Sequence, residues 1–492
     1  MEKNDNLMDK VTALAKRRGF IFPGSELYGG LANTYDYGPM GVELLRNIRN
    51  LWWETFVHRR SDIVGLEASL ISHQKIWEAS GHTAGFADAL IDCKECKHRI
   101  RADHLIEDYL ETNEEQLSFD DSNLPEGFNL DLLQAVVKQK KVEGLDLSQI
   151  DALISFFDIP CPNCKSHPSD FKNWTSARQF NLLFPVQLGI VVGDQNIAYL
   201  RGETAQGMFT NFHNIVSSTR VRLPFGIAQL GKSFRNEITP GNSVFRTLVF
   251  EQGEIEYFFD PEKEKWEDLF ESWKESMWKF IIGLGIREEN LRFRVHTDEE
   301  RSFYSKRTED LEYEYPFGYK ELWGIAYRTN YDLAAHESLS KKELRIVDPQ
   351  TNEKILPHVI EPAVGIDRIF LMVLCDSYYK DGNRVVLKLS PILAPYKLAV
   401  FPLLANKPEL VEKAKNVYEM VSKKFVVSFD DRGNIGKRYL YQDEIGTPWC
   451  VTVDFQTLED ETVTIRDRDS GQQHRISIST LIPHVSELLL YN

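Results

Sequence analysis

The stretch of sequence that decides the fold is GKSFRNEITPGNSVFRTLVFEQGEIEYF, residues 231–258. The Thr-Pro-Gly sequence at 239–241 favours a turn between two strand-like runs, so the stretch is predicted to form an antiparallel hairpin. Side chains alternate across a strand, so one face of the hairpin would gather polar and aromatic groups. These groups are Arg235 and Glu237 before the turn and Arg246, Phe250, Glu254 and Glu256 after it.

These residue types suit a nucleotide. A planar guanidinium binds a phosphate through two hydrogen bonds, a carboxylate or the backbone reads an adenine edge, and the ring of Phe250 offers a stacking surface. On composition alone, a surface hairpin with exposed salt bridges is the simpler interpretation, because charged surface strands are common. The chain contains no P-loop and no GxGxxG motif, so a nucleotide would have to be bound by another arrangement.

Length and composition indicate a multidomain globular protein. Its 492 residues, 42% hydrophobic and 27% charged, can bury two or more cores. A formal net charge of −16 argues against a protein that coats nucleic acid nonspecifically, since such binding requires a cationic excess. The N-terminus lacks the apolar core of a secretory signal, and no stretch approaches the ~20 apolar residues that span a bilayer. We therefore expect a cytoplasmic protein without membrane contact.

Shifts in composition divide the chain into four segments. Between about 86 and 170 the sequence becomes acidic and helix-prone, which indicates an insertion. Before and after it, short strand-like runs alternate with amphipathic helices, and beyond Pro391 and Pro395 a separate α/β pattern begins. The expected segments are a first part of the core at 1–85, the insertion at 86–170, the second part of the core at 171–392 and a C-terminal domain at 393–492.

A family resemblance rests on several motifs. Hydrophobe-Arg-x-Glu at 234–237, with a loop and a returning Phe250, resembles motif 2 of the class II aminoacyl-tRNA synthetases, and IEPAVGIDR at 360–368 resembles their motif 3. Further stretches resemble the homodimeric glycyl-tRNA synthetases, in order and over nearly the whole chain outside the insertion. These stretches are ELYGGLANTYDYGPMGVELLRN at 26–47, YLRGETAQGMF at 199–209, YPFGYKELWGIAYRTNYDL at 315–333 and YQDEIGTPWCVTVDFQTLEDETVTIRDRD at 441–469.

The resemblance implies a fold and an activity. The implied fold is α+β, with a class II catalytic core built on an antiparallel sheet flanked by helices, a zinc-binding insertion and a C-terminal α/β anticodon-binding domain. The implied activity is that of a glycine–tRNA ligase, which uses ATP with Mg²⁺ to convert glycine to glycyl-adenylate. The glycyl group then passes to the 3′ end of tRNA(Gly).

The resemblance also implies roles in binding ATP. Arg235 would bind the α-phosphate and the amino-acid carboxylate, and Arg368 would hold the γ-phosphate from the opposite side, which makes them the expected catalytic pair. The remaining expected contacts to ATP are Glu237 on the adenine side, Arg246 on the outer phosphates, Phe250 stacked on adenine, and Glu361. Positioning and charge neutralisation dominate such transfers, and an amino-acid carboxylate is already ionised at neutral pH, so no general base is required.

For glycine, the resemblance implies a negative pocket and one arginine. Glu203, Glu254 and Glu361 match family positions around the ammonium, and Arg328 matches the position that receives the carboxylate. Taken alone, Glu203 would be interpreted as an exposed carboxylate at the end of a strand, because glutamate is mostly a surface residue.

Several positions depart from the family pattern. Ala363 stands where the family commonly has a serine, which removes a hydroxyl contact to the substrate ammonium. Leu248 and Val249 stand where the family commonly has a charged pair, and Trp323 occupies a position that is usually acidic. These departures put the affinity for glycine in question and leave the expected catalytic arginines unchanged.

Four cysteines form two CxxC pairs, Cys93 with Cys96 and Cys161 with Cys164. In a reducing compartment such pairs indicate a metal more often than a disulfide, and four thiolates suit a tetrahedral structural Zn²⁺. The alternative is a set of metal-free thiols, because the long gap between the pairs requires the insertion to bring them together.

The remaining expectations concern partners. TYDYGPMGVELL with the helix through Trp53 resembles motif 1, which implies a homodimer, although a core helix would show the same periodicity. Arg432, Arg438 and Arg466 of the C-terminal domain are the expected contacts to tRNA, because basic groups near aromatic rings can hold single-stranded RNA. Charged turns give the same composition.

Two other functions stay open at this point. One is a synthetase-like nucleic-acid-binding subunit without catalysis, similar to the accessory subunit of mitochondrial DNA polymerase. The retained arginines and glutamates argue against it. The other is a ligase that loads an acceptor other than tRNA or activates another small amino acid, which the C-terminal module and RGETAQG at 201–207 disfavour.

Overall fold

The computed structural model describes residues 5–85, 87–113, 117, 119, 123–140, 142, 145–164, 174–189, 197–237, 241–297, 301 and 304–490. Thr239 and Pro240 of the expected turn lie outside the described residues. The boundaries that we expect at 86, 170 and 171 also fall on residues outside them.

Residues 5–85 form helices and short strands that flank the main sheet or belong to it. They are α1 (Asp5–Arg18), β1 (Ile21–Pro23), β2 (Tyr35–Tyr37), α2 (Pro39–Trp53), β3 (Ile63–Gly65), β4 (Ile71–His73), α3 (Gln74–Ala79) and α4 (His82–Gly85). In α2 and the turn that follows it, Leu44, Ile48, Trp52 and Phe56 are buried, as their helical spacing predicts.

The next segment has its own apolar core. Its elements are β5 (Ala87–Asp92), β6 (Arg99–Arg101), α5 (Ala102–Asn113), α6 (Leu130–Gln139), α7 (Leu147–Phe156) and β7 (Arg178–Asn181). The strands pair in the order β6-β5-β7, and the three helices bury a cluster that includes Ile106, Leu133 and Leu153. Trp174 closes this cluster, and its Nε1 donates to the carbonyl oxygen of Ile159 over 3.0 Å.

The second part of the core carries most of the main sheet. Its elements are β8 (Pro185–Gln187), β9 (Ile197–Leu200), α8 (Ala205–Ser218), β10 (Phe225–Phe234), β11 (Val249–Phe259), α9 (Trp266–Gly283), β12 (Leu291–Val295), β13 (Arg307–Tyr315), β14 (Gly318–Thr329), α10 (Tyr331–Ser340), β15 (Ile346–Val347), β16 (Lys354–Ile355), β17 (His358–Gly365), α11 (Ile366–Ser377), β18 (Tyr378–Asp381) and β19 (Arg384–Leu387).

The main sheet has seven strands among the described residues, in the order β12-β13-β14-β17-β11-β10-β3. All neighbours are antiparallel except β10 and β3, which run parallel. Helices α2, α9 and α11 pack on one face through the largest apolar cluster, and α8 packs on the other face through a second cluster. The expected antiparallel sheet flanked by helices is therefore confirmed.

The hairpin predicted from 231–258 forms, with a different division between strand and loop. Strands β10 and β11 pair from Phe225 opposite Phe258 to Phe234 opposite Val249. Arg235 and Glu237 follow the last residue of β10 instead of lying within it. The amide of Arg235 donates to Leu248 over 3.0 Å, and the amide of Glu237 donates to Arg235 over 2.7 Å, so the chain turns sharply there.

The C-terminal segment is a separate α/β layer. Its elements are β20 (Leu398–Pro402), α12 (Pro408–Ser422), β21 (Val427–Phe429), α13 (Ile435–Ile445), β22 (Trp449–Val453), α14 (Phe455–Asp460), β23 (Thr462–Asp467), β24 (Gln473–Ser477) and α15 (Leu481–Leu490). The strand order is β21-β20-β22-β23-β24, and the first three strands are parallel.

Charged contacts fix this segment to the core. Arg18 of α1 pairs with Glu444 of α13, and its guanidinium carbon lies 4.6 Å from the ring centre of Tyr441. Arg384 of β19 donates to Asp443 over 2.8 Å. No helix among the described residues is long and apolar enough to cross a membrane.

Candidate active site

One cavity of about 400 Å³ opens above the main sheet, between the hairpin, β14, β17 and the start of α11. Most of the residues expected from the sequence line it. They are Glu203, Arg235, Glu237, Arg246, Phe250, Glu254, Glu361 and Arg368. These residues are far apart in sequence, and the antiparallel pairing of β11 with β10 and β17 brings them together.

The hairpin arginine and the hairpin aromatic ring form one end of the cavity. The guanidinium carbon of Arg235 lies 5.2 Å from the ring centre of Phe250, and its Nε donates to the carbonyl oxygen of Gly202 over 2.9 Å. A guanidinium over an aromatic face is a favourable contact. This arrangement places a phosphate-binding group beside a ring that can stack on a base.

Arg368, in the first turn of α11, supplies the second arginine. Its Nη1 donates to the backbone oxygen of Glu321 over 3.0 Å and lies 2.9 Å from Oε2 of the same residue. The Arg368 guanidinium holds the pKa of the Glu321 carboxyl below its ordinary value. The guanidinium carbon also lies 4.6 Å from the ring centre of Phe245, so the side chain is oriented from two sides.

The start of α11 is tied to the hairpin and to the N-terminal segment. The buried carboxylate of Asp367 accepts a hydrogen bond from the Tyr37 hydroxyl and a second one, over 2.6 Å, from the amide of Glu251. Burial, followed by the nearby Asp367 carboxylate, raises the pKa of Tyr37 well above its ordinary value, so the phenol stays a donor. These contacts fix the position of the neighbouring Arg368.

Carboxylates line the other end of the cavity. Glu203 is buried, and its side chain lies 3.2 Å from Nε2 of His82 and accepts from Nε2 of Gln206 over 3.0 Å. Burial opposes its ionisation, but the His82 imidazole and then Arg328 outweigh burial and hold the pKa of Glu203 below its ordinary value. Glu203 is therefore a buried negative charge, and the interpretation as an exposed carboxylate is wrong.

Arg328 lies behind the carboxylates that line this end of the cavity, and it does not line the cavity itself. It is 1% exposed, and its Nη1 donates to Glu361 over 2.7 Å, while Nε and Nη2 donate to Asp332 over 2.7 and 2.8 Å. Both oxygens of Asp332 and one oxygen of Glu361 thus bind the same guanidinium. The structure places Arg328 where it orients Glu361, so a direct contact to a substrate carboxylate would require these ion pairs to open.

Arg101 and Glu321 are among the further residues that line the cavity and were not predicted. Arg101, the last residue of β6, reaches it from the segment between the CxxC pairs, and its guanidinium pairs with Asp103. Glu321 of β14 is the partner of Arg368. Sequence spacing carries no signal for Arg101, because its approach depends on how β6 docks against the core.

The departures from the family pattern lie in different places. Ala363 lines the cavity and pairs across the sheet with Glu254. Leu248 lies at the base of the hairpin loop, where its amide donates to Asn33 over 3.0 Å. Trp323 is fully buried on the other face of β14, with its ring centre 5.4 Å from that of Phe56, so this departure does not touch the site.

The two CxxC pairs meet. Sγ of Cys93 lies 3.7 Å from Sγ of Cys164, Sγ of Cys96 lies 3.6 Å from Sγ of Cys161, and all four sulfur atoms are within 4.8 Å of one another. These distances far exceed a disulfide bond of about 2.05 Å. A Zn–S distance of about 2.3 Å places tetrahedral ligands about 3.8 Å apart, so the cluster is compatible with Zn²⁺.

The three expected tRNA contacts differ in exposure. Arg432 is exposed and pairs with Asp430 over 3.1 Å. Arg466 is largely buried and donates to Asp443 over 3.0 and 3.3 Å. Arg438 is 2% exposed and donates to backbone oxygens of Pro402, Asp430 and Gly433. Of the three arginines, Arg432 is exposed enough to contact a partner, whereas Arg438 stabilises the interior of the domain.

Comparison with known proteins adds independent findings. The family model described as the glycyl-tRNA synthetase insertion domain 1 matches residues 88–182, which include both CxxC pairs. The family model described as the anticodon binding domain matches residues 397–488. The fold, the cavity and this module define a class II aminoacyl-tRNA synthetase.

Full-length relatives give the family. Glycine–tRNA ligase of Clostridium tetani is 48% identical over 488 residues, which cover 98% of each chain. The enzyme of Clostridium acetobutylicum is 48% identical over 490 residues, 99% of each chain, and that of Geobacillus thermodenitrificans is 47% identical over 490 residues, 98% of each. The chain belongs to the glycine–tRNA ligase family.

Proposed function

We propose that this chain activates glycine with ATP and loads it onto tRNA(Gly). The observation that carries the proposal is a single cavity in which two arginines, Arg235 and Arg368, face a set of buried carboxylates. The two arginines suit the triphosphate of ATP, and the buried carboxylates suit the ammonium group of an amino acid. The family membership of the whole chain supports the same activity.

The first step joins glycine to the nucleotide. A carboxylate oxygen of glycine attacks the α-phosphorus of ATP, the bond from that phosphorus to the bridging oxygen breaks, and pyrophosphate leaves with the bonding electrons. Arg235 neutralises charge at the α-phosphate, and Arg246 and Arg368 hold the outer phosphates, together with the Mg²⁺ that accompanies ATP. Phe250 stacks on adenine, and Glu237 and Glu361 complete the nucleotide contacts.

The carboxylates orient glycine for this attack. Glu203, Glu254 and Glu361 surround the ammonium, and Arg328 fixes Glu361 by the ion pair over 2.7 Å. Glycine has no side chain that a pocket could bind. One added methylene changes the binding free energy by only ~1–3 kcal/mol, so glycine has to be selected by sterically excluding amino acids with larger side chains.

The second step transfers the product. A hydroxyl of the terminal ribose of tRNA attacks the glycyl carbonyl carbon, the bond to the adenylate oxygen breaks, and AMP leaves. The C-terminal domain supports this step, because a module at residues 397–488 that matches anticodon-binding domains can hold the far end of the tRNA. Arg432 contributes an exposed positive charge to that surface.

We further propose a homodimer in the cytoplasm and a structural Zn²⁺ on Cys93, Cys96, Cys161 and Cys164. The dimer is supported by β3, which is an edge strand of the main sheet in the described part of the chain and follows the stretch that resembles motif 1. An edge strand needs a covering partner or a protective feature. The zinc is supported by the spacing of the four sulfur atoms and would stabilise the insertion.

ATP–pyrophosphate exchange tests the proposal. Exchange of labelled pyrophosphate into ATP is expected with glycine and is expected to be absent with alanine or serine. Charging of tRNA(Gly) and not of another tRNA is expected in the second assay. A folded protein that is silent in exchange with glycine would leave the nucleic-acid-binding alternative standing, and exchange with a different amino acid would make it a sister enzyme.

A further inference from the structure

Glu256 is a buried carboxyl to which none of the roles above is assigned. It lies two residues after Glu254 on β11, so both side chains project from the same face of the sheet. It is 0% exposed, and the neighbours that share its face, Ile227 across the pair and Phe258 along the strand, belong to an apolar cluster. Neither of its carboxyl oxygens has a hydrogen-bond partner within the described part of the chain.

Glu256 lies directly beneath the carboxylates expected to bind glycine. Carboxyl oxygens of Glu254, Glu256 and Glu361, one from each, lie within 4.8 Å of one another. Glu254 of β11 and Glu361 of β17 line the cavity, and Glu256 of β11 lies beside them outside its lining; we call these three carboxyl groups the floor of the ammonium pocket. A proton or a cation bound among these carboxyl groups would interact electrostatically with all three.

The charged groups around Glu256 are already paired with one another. Arg328 of β14 is bound by Asp332 of α10 and by Glu361, and the charges of these three residues and of Glu254 act on Glu256. On the outer side, Glu203 pairs with His82.

Hydroxyl and amide groups complete this network without reaching Glu256. The hydroxyl of Thr204 donates to Glu254, and Gln206 links Glu203 to Asp332 and to His336. None of the donors among the described residues reaches Glu256, and the buried Nε2 of Gln229, opposite Glu254 on β10, is likewise without a hydrogen-bond partner.

An ionised carboxylate in this position would be buried without a partner, which is strongly unfavourable. Burial, followed by the charge of Glu361, raises the pKa of Glu256 well above its ordinary value. Burial also raises the pKa values of Glu254 and Glu361, and each of those residues has a hydrogen-bond donor that Glu256 lacks. Of the three carboxyl groups, Glu256 is the one without a hydrogen-bond donor in the described part of the chain, so a proton is best accommodated there before glycine binds.

We propose that Glu256 is a positioning residue that holds a proton beneath the ammonium pocket and releases it when glycine binds. The proposal rests on the proposed function. On binding, the ammonium enters between Glu254 and Glu361, the O–H bond of Glu256 breaks, and the proton passes by way of these carboxylates to water. The pocket thus exchanges one positive charge for another, so its net charge is the same before and after binding.

The exchange predicts a pH dependence of glycine affinity. The bound ammonium favours the ionised form of Glu256, so the pKa of this carboxyl is lower in the complex than in the free protein. Between the two values, release of one proton makes the Michaelis constant for glycine fall by about tenfold for each unit of rising pH. Below the lower value Glu256 is protonated in both states, and the dependence vanishes.

Calorimetry of glycine binding tests the proposal. The full-length protein, in solution without added divalent cations, is titrated with glycine in two buffers that differ in ionisation enthalpy, which gives the number of protons released. We expect up to one proton per site in the unsubstituted protein and none in Glu256→Gln, whose amide has the shape and donor capacity of the protonated acid. The Michaelis constant of Glu256→Gln should match the unsubstituted protein at the acid end and be independent of pH.

Glu309→Gln is the matched control, because Glu309 is an equally buried carboxylate of the same sheet that pairs with Lys274 over 2.9 Å outside the cavity. It should release as many protons as the unsubstituted protein. Equal release from Glu256→Gln, or no proton release from the unsubstituted protein, would overturn the proposal. Glycine-dependent pyrophosphate exchange is measured on the same samples, so failure of the proposed function is seen separately as absence of exchange.

Discussion

Nη1 of Arg328 donates to Oε1 of Glu361 over 2.7 Å, and both side chains are buried. The same guanidinium binds Asp332 with two further hydrogen bonds. One arginine thus connects strand β14 to β17 and to helix α10, and it holds a wall of the ammonium pocket without lining the cavity. Its removal would affect both stability and the pocket.

Arg328→Ala should therefore destabilise the protein. It leaves the carboxylates of Asp332 and Glu361 buried without a cation, and breaking a buried pair in this way costs about 3–5 kcal/mol. Urea denaturation measures the free energy of unfolding, and the Michaelis constant for glycine should rise in parallel. Arg59→Ala is the control, because Arg59 pairs with Glu54 at the surface over 3.3 Å and loss of an exposed ion pair has little effect on the free energy of unfolding. Equal effects of the two changes would contradict this role of Arg328.

Arg235→Lys should slow adenylate formation. A lysine keeps the charge and loses the planar pair of donors that clamps a phosphate, and loss of one donor to a developing charge reduces kcat by about 10²- to 10³-fold. Pyrophosphate exchange measures this rate. Arg220→Lys, an exposed arginine outside the cavity, should leave the rate unchanged. A full rate in Arg235→Lys would show that Arg235 does not contact the reacting phosphate.

Ala363→Ser should improve the affinity for glycine. Ala363 lines the cavity opposite Glu254 in the sheet, so a hydroxyl there can accept from the substrate ammonium. One such hydrogen bond contributes ~0.5–1.5 kcal/mol, which corresponds to a fall of about two- to tenfold in the Michaelis constant. The constant is measured by exchange at saturating ATP. An unchanged constant, with the fold intact by circular dichroism, would mean that the hydroxyl does not reach the ammonium.

Cys161→Ser should abolish metal binding by the insertion. The substitution removes one of four sulfur atoms that lie within 4.8 Å of one another. Elemental analysis of the purified protein is expected to give one zinc per unsubstituted chain and much less in the variant, which should also be digested faster by protease in the insertion. Cys450→Ser changes a buried cysteine of the C-terminal sheet and should retain the metal. Equal zinc in both variants would contradict the assignment.

Arg432→Ala should weaken the binding of tRNA and leave adenylate formation intact. Its guanidinium is exposed on the C-terminal domain and lies outside the catalytic cavity. Loss of one phosphate contact should raise the Michaelis constant for tRNA and lower the slope of log affinity against log salt concentration by about one. Exchange without tRNA is the internal control. A tRNA affinity that did not change would place the contact surface elsewhere.

Local patterns were sufficient for the secondary structure near the site. The strand-like runs on either side of Thr239-Pro240-Gly241 predicted the hairpin, and the spacing of Leu44, Ile48 and Trp52 predicted α2. The division between strand and loop was less accurate, since Arg235 and Glu237 follow β10. Strand ends depend on where the partner strand stops offering hydrogen bonds, and a linear pattern does not contain that information.

By itself, the sequence determined the family, the hairpin with its arginines and the two CxxC pairs, because each of these depends on residue type and short spacing. Only the tertiary structure decided which charges are buried. It placed Arg328 behind Glu361, buried Arg438, brought Arg101 to the cavity and left Glu256 without a donor among the described residues. Burial is set by contacts between strands and segments distant in sequence, and burial decides whether a charged group binds a ligand, orients a neighbour or keeps its proton.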